Sequence, residues 1–221
     1  MIDFTTIIQT VTVYAIPVLF AISLHEAAHG YAARYFGDPT ASNAGRLSLN
    51  PARHIDPFGT LLLPLLLYLT IHVPFGYAKP VPVDFSRLRN PKKQMVWVAL
   101  AGPASNFVMG LGWMVMLALL ARFGATEPYF YNVARAGVTV NAAIFVFNLI
   151  PLPPLDGGRI VTGLLPMALA RKFARLDQYG LYVFGALVLA MYFGLLDGVL
   201  GGAMQGVIHL LSVLVRPIFS S

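Results

Sequence analysis

The sequence predicts an all-α polytopic membrane protein with about five full transmembrane helices. One further apolar segment should re-enter rather than cross, and a small β-hairpin-like connector should follow the first helix. Two observations carry this expectation. Of 221 residues, 57% are hydrophobic and 11% charged, with a mean hydropathy of +0.72, outside the range of ordinary soluble domains. The apolar residues also gather into runs of membrane-spanning length, separated by loops where the basic residues collect. The net charge of +6, from 15 Lys and Arg against 9 Asp and Glu, marks cytoplasmic loops and points to a bilayer as partner, not nucleic acid. With no cysteine in the chain, disulfides and thiolate metal sites are excluded, and any bound metal must rest on His and carboxylate.

The first span runs from about Ile7 to Phe36, with Pro17 expected to bend it. Only acidic Asp3 precedes it and no basic segment does, so it reads as a retained helix, not a cleaved signal. Arg34, Arg46 and Arg53 lie on its C-terminal side, which puts that end in the cytoplasm. Residues 37–57 are rich in turn formers, and the alternating piece Arg46-Leu47-Ser48-Leu49 reads either as a strand whose bare edge suits an extended peptide or as part of an ordinary loop hairpin. Phe58 to Val73 is apolar but short and holds Pro64. The next loop carries Lys79, Arg87, Arg89, Lys92 and Lys93, and a crossing would put this basic cluster outside, so the segment is expected to re-enter or to pack as a short apolar piece against the bundle near one interface.

Met95 to Phe123 is the next full span. Its Ala101-Gly102-Pro103-Ala104-Ser105-Asn106 stretch allows close helix approach, and Pro103 should break the helical ladder. Asn132 to Ile150 then returns inward, ending at Asn148 to Gly158 with Arg159, Arg171, Lys172 and Arg175 beyond it. Two last stretches, Tyr179 to Leu196 and Val199 to Val215, read as a closing hairpin turned at Asp197 and Gly198. There is no internal repeat and no room for a separate soluble domain.

Inside the first apolar run stands His25-Glu26-Ala27-Ala28-His29. Residues four apart share one helix face, so both imidazoles can aim a ring nitrogen at one zinc ion, while Glu26, one position round, can take a proton from a zinc-bound water. Ionisable groups at bilayer depth cost a few kcal/mol each, roughly, and three together are not kept without a role. A catalytic zinc takes three protein ligands, and the best third candidate is Asp156, an acid at a helix end followed by Gly157 and Gly158. With three crossings up to Pro151, this acid and the histidine pair end on the same side. Asn148 lies eight residues before it, about two turns along nearly the same face, and its amide is a candidate donor to an oxyanion. Asn106 is a candidate either for the site or for bridging helices. His54 reads as a loop histidine satisfied by backbone or a partner near the metal, and His72 and His209 as packing or interface residues.

His25 to His29, Ala101-Gly102-Pro103 with Asn106, and Asn148 through Leu155-Asp156-Gly157-Gly158, in this order, resemble the site-2 protease family of intramembrane zinc metalloproteases. Leu49 to Thr60 and Gly76 to Val83 are similar to its compact branch, which lacks a PDZ domain. The resemblance implies one zinc per chain on His25, His29 and Asp156, Glu26 as catalytic base and Asn148 near the scissile carbonyl. It implies hydrolysis of transmembrane or membrane-associated peptides by a single domain spanning 1–221, with its catalytic core at about 7–160 and a C-terminal helical hairpin at about 179–216. The expected setting is a bacterial-type cell membrane, with the active site nearer the cytoplasmic side. Two rival readings are a divalent-metal transporter, which the missing repeat argues against, and a non-cleaving relative that binds membrane helices, which Glu26 argues against.

Overall fold

A computed structural model describes residues 4–53, 55–62, 66 and 79–219. Its helices are α1 (Phe4–Tyr35), the single turn α2 (Thr40–Asn43), α3 (Pro91–Arg122), α4 (Pro128–Asn148), α5 (Asp156–Leu164), α6 (Met167–Ala174), α7 (Gly180–Tyr192) and α8 (Asp197–Phe219). Among the described residues there is no strand.

Four of these helices, α1, α3, α4 and α8, are long and apolar enough to cross a membrane. The bundle is built around α3, which packs on α1, α4, α5 and α8. Its buried residues Val98, Ala99, Gly102, Pro103, Asn106, Gly110, Met114 and Ala118 recur at helical spacing and are mostly small. The buried face of α4 is similar, with Ala134, Ala136, Gly137, Asn141 and Ala142. Large apolar side chains instead point outward, such as Ile16 and Phe20 on α1 and Val108 on α3. Small residues inside and large ones outside is the pattern expected in lipid, where helices gain by close packing and not by hiding apolar surface from water. Met114, Ala118, Val138, Leu211 and Val215 form one core cluster joining α3, α4 and α8. A second, of Ala33, Leu88 and Val98, ties the end of α1 to the start of α3.

The connector between α1 and α3 leaves and rejoins the bundle at one end. The Arg89 amide donates to the Phe36 carbonyl at 3.0 Å and the Arg89 guanidinium to the Tyr35 carbonyl at 2.8 Å. Asp38, fully buried, holds it further: one carboxylate oxygen accepts from the Thr40 amide and hydroxyl, at 2.9 and 2.5 Å, and the other from the Asp84 amide at 2.7 Å. The sequence Lys79-Pro80-Val81-Pro82-Val83 runs across this end. A residue before proline is pushed toward extended backbone, so two X-Pro pairs in succession make a stiff strap.

The structure departs from the sequence expectations in three places. The piece Arg46–Leu49 is irregular rather than a strand, and α2 precedes it. Arg46 donates from its guanidinium to the Arg53 and Lys79 carbonyls, at 3.1 and 3.0 Å, tying this piece to the connector through its side chain. The stretch expected to form a fifth span yields α7, whose 13 residues reach only about 20 Å, and Asp197 opens α8 instead of turning the hairpin. Phe58 to Val73 falls mostly outside the described residues; its start lies in a π-helical turn, Pro57–Leu62. His54, Pro64 and His72 also lie outside them, while His209 is exposed on α8.

Asp38→Ala should leave the partly buried Asp84 and Thr40 amides without their acceptor and cost about 1 kcal/mol. The measurement is thermal unfolding of purified protein in detergent, and the expected outcome is a clearly lowered midpoint.

Candidate metal centre

His25 and His29 stand one turn apart on the buried face of α1, at 5% and 7% exposure, and each ring is fixed by its Nδ1. That of His29 lies 2.7 Å from the Val98 carbonyl of α3. A carbonyl only accepts, so His29 Nδ1 carries the proton and Nε2 bears a lone pair. His25 Nδ1 lies 2.6 Å from Asn106 Oδ1. The orientation of that amide follows from its other bonds, since Asn106 Nδ2 donates to the Ala21 carbonyl at 3.1 Å and to Asn141 Oδ1 at 3.0 Å. Asn141 in turn donates to the Gly137 carbonyl at 2.8 Å. This chain of matched donors and acceptors crosses from α4 through α3 to α1, with both asparagines fully buried. It sets His25 Nδ1 as a donor and leaves Nε2 unprotonated.

The two bare Nε2 atoms are 3.1 Å apart, and Asp156 Oδ2 sits 3.1 Å from the first and 3.3 Å from the second. Asp156 is 5% exposed, and no hydrogen-bond donor reaches its Oδ2 among the described residues. Three electron-rich atoms facing one another without a proton between them repel unless a cation lies among them. Ligands bound tetrahedrally at zinc's usual distances of about 2.0–2.1 Å stand about 3.3 Å from each other, which this triangle matches. Two imidazoles and one carboxylate form a donor set suited to zinc, with a fourth position left open. The residues therefore fit the ion.

Local sequence explains how these atoms meet. A Cβ on Gly102 would strike the His29 ring and come within 2.7 Å of His25 Cε1, so only glycine lets α3 pass so close to both rings. Asp156 opens α5, and Gly157 and Gly158 pack directly against the backbone of residues 149–153, where a side chain would collide. The turn after α4 is thereby folded tightly enough to bring the carboxylate back to α1. Glu26, beside His25, is half-buried, and its Oε2 accepts from the Val81 amide at 2.8 Å. Val81 and Leu47 lie against Gly30, one turn further along the helix.

These groups share a cavity of about 220 Å³, lined by α1, by the Pro80 to Phe85 strap and by Asn148, Pro154, Asp156 and Arg159. Asn148 thus reaches the cavity, but the geometry that suggested it does not hold. Residues 149–155 are not helical, so Asn148 ends one helix and Asp156 begins another. Its Nδ2 donates back to the Ile144 carbonyl at 3.1 Å. The sequence left Asn106 between two roles, and it fills both by bridging helices and fixing a ring. Asn141 and Val81 were not foreseen; a buried Asn on a small-residue face was the available sign of the first, and nothing local marked the second.

A buried His-His-Asp triangle, with a carboxylate beside it and a cavity above it in a bundle of apolar helices, is the arrangement of a membrane-embedded metallopeptidase. Comparisons with known proteins agree. A family profile described as Peptidase family M50 matches residues 124–191. "Putative zinc metalloprotease YwhC" of Bacillus subtilis (strain 168) is 34% identical over 212 residues, covering 92% of this chain and 92% of that protein. "Putative zinc metalloprotease Rip2" of Mycolicibacterium smegmatis is 30% identical over 174 residues, covering 77% of this chain and 64% of that protein. The Rip2 of Mycobacterium tuberculosis (strain H37Rv) is 32% identical over 178 residues, with 78% and 64% covered. No solved structure matches the chain. The chain belongs to peptidase family M50, the site-2 protease family of membrane metalloproteases.

Asn106→Leu removes the acceptor that orients His25 while keeping side-chain volume. Zinc affinity, measured by competition with a chromogenic chelator, should fall about 10–100-fold, the usual cost of losing a ligand's hydrogen-bond partner.

Proposed function

We propose that the chain is an intramembrane zinc metalloendopeptidase that hydrolyses peptide bonds in transmembrane or membrane-associated polypeptides. One zinc ion per chain would be held by His25, His29 and Asp156, with Glu26 as general base. The observation that carries this reading is the triangle of His25 Nε2, His29 Nε2 and Asp156 Oδ2, with sides of 3.1 to 3.3 Å. When bound there, the ion supplies Lewis-acid chemistry, polarising water and a peptide carbonyl.

The remaining steps fall to the chain's own groups. The Val81 amide pins Glu26 Oε2, so the carboxylate cannot swing away, and Oε1 takes no hydrogen bond among the described residues. From that position Oε1 takes the proton of the attacking water and returns it to the departing amide nitrogen. Asn106 and the Val98 carbonyl keep both imidazoles from rotating, so the ligand set needs no rearrangement before chemistry. The strap from Pro80 to Val83 walls one side of the cavity. A membrane helix satisfies its backbone internally and hides its amides, so it must unwind before it can be cut.

Arg34, Arg46, Arg53, Arg87, Arg89, Lys92 and Lys93 cluster where α1 ends and α3 begins, the end that carries the site. By the positive-inside rule that end faces the cytoplasm, and the bacterial relatives support a bacterial cell membrane as the setting.

Glu26→Gln should lower cleavage of a transmembrane peptide about 10²–10⁴-fold while the purified protein keeps one zinc per chain by metal analysis. A variant that cleaves at the wild-type rate would remove Glu26 from the chemistry. Stripping the metal with phenanthroline should abolish cleavage, and added zinc should restore it; activity that survives complete metal removal would sink the reading.

A further inference from the structure

Arg159 stands three residues after Asp156 on α5, a spacing that puts both side chains on one face. It lines the same cavity as Glu26 and the His-His-Asp triangle and is the only Lys or Arg among the described residues lining it. Although half-buried, its guanidinium has no carboxylate partner among the described residues. Asp156 turns to the two histidines and Glu26 to the Val81 amide. The guanidinium instead lies over the Phe85 ring at 5.5 Å from its centroid, an attraction that holds a cation without neutralising it. Arg159 therefore stays a charged donor on the cavity wall, with Phe85 rather than a carboxylate beneath it. Asn148, the other candidate donor, already spends one amide hydrogen on its own helix.

Building on the peptidase reading, we infer that Arg159 is a further catalytic residue, donating to the scissile carbonyl oxygen as it gains negative charge. The step balances within the reaction above. Water adds to the carbonyl carbon, its proton passes to Glu26 Oε1, and the carbonyl π pair moves onto oxygen, where Arg159 receives it. Collapse of that oxyanion breaks the C–N bond, and the proton on Glu26 goes to the leaving nitrogen, giving a carboxylic acid and an amine; the acid then passes its proton to the amine, leaving a carboxylate and an ammonium. A guanidinium fixed in place beforehand by Phe85 needs no reorganisation as the charge develops.

The test compares full-length, zinc-loaded wild type with Arg159→Gln and Arg159→Lys. Four readouts are taken: zinc content, kcat and KM on one transmembrane peptide, and affinity for a phosphinic peptide that carries a tetrahedral anion in place of the scissile amide. Arg159→Gln should lower kcat about 10²-fold, leave KM and zinc content unchanged, and weaken phosphinic binding in parallel. Arg159→Lys should recover part of both losses. The inference is overturned if kcat is unchanged, if KM alone rises, if the phosphinic peptide binds equally, or if both variants lose zinc. Wild type that binds no zinc and cuts no peptide would sink the peptidase reading and take this inference with it. Wild type that cuts no faster than Arg159→Gln sinks the inference alone.

Discussion

The site depends on one constraint, that each imidazole presents a lone pair and not a proton to the metal position. A histidine ring can carry its proton on either nitrogen, and only surrounding acceptors decide which. Here the Val98 carbonyl and Asn106 Oδ1 decide it, at 2.7 and 2.6 Å from the two Nδ1 atoms. Both acceptors lie on α3, so the central helix both scaffolds the bundle and sets the protonation of ligands borne by α1. The Asn106–Asn141 bond extends the same control to α4, the helix that leads to Asp156. Loosening the bundle anywhere along this line disturbs the metal ligands, because packing and tautomer are carried by the same residues.

Close approach makes this possible. The apolar faces of α1 and α3 give no preference for one helix rotation over another in lipid, since large side chains are as well solvated outside as in. Shape and hydrogen bonds must therefore choose the register. Gly102 is the point where α3 passes over the two rings, and the asparagines lock the rotation that Gly102 permits. Burying two asparagines costs little when each amide is matched, and the α3–α4 interface here is fully matched.

Much of this was legible in the sequence because the strongest signals are local. The spacing of His25, Glu26 and His29 needs only a helix to bring the three together, and the glycines after Asp156 announce a tight turn. Membrane character follows from composition alone. What could not be read was set by contacts between distant segments. Asn106 is one of several polar residues on a small-residue face until α1 is laid beside it. The piece Arg46–Leu49 is held through the Arg46 side chain to the Arg53 and Lys79 carbonyls rather than by a backbone ladder, which no pattern of alternation reveals. The run Tyr179 to Leu196 was apolar enough for a span, yet its helix, beginning at Gly180 straight after a 3₁₀ turn at Arg175–Tyr179, stops at Tyr192. Apolar length does not by itself give helical length. For Asn148, counting turns from Asp156 assumed one continuous helix where the chain folds back.

The strap beside the site carries prolines at positions 80 and 82. In extended chain, alternate residues point their amide groups to opposite edges. The Val81 edge is turned inward to Glu26, so the edge facing away belongs to the prolines, which have carbonyls but no N–H. A polypeptide lying along it can give hydrogen bonds but receive none, so the rim of the site is closed to two-way strand pairing and to the runaway sheet growth that such pairing invites.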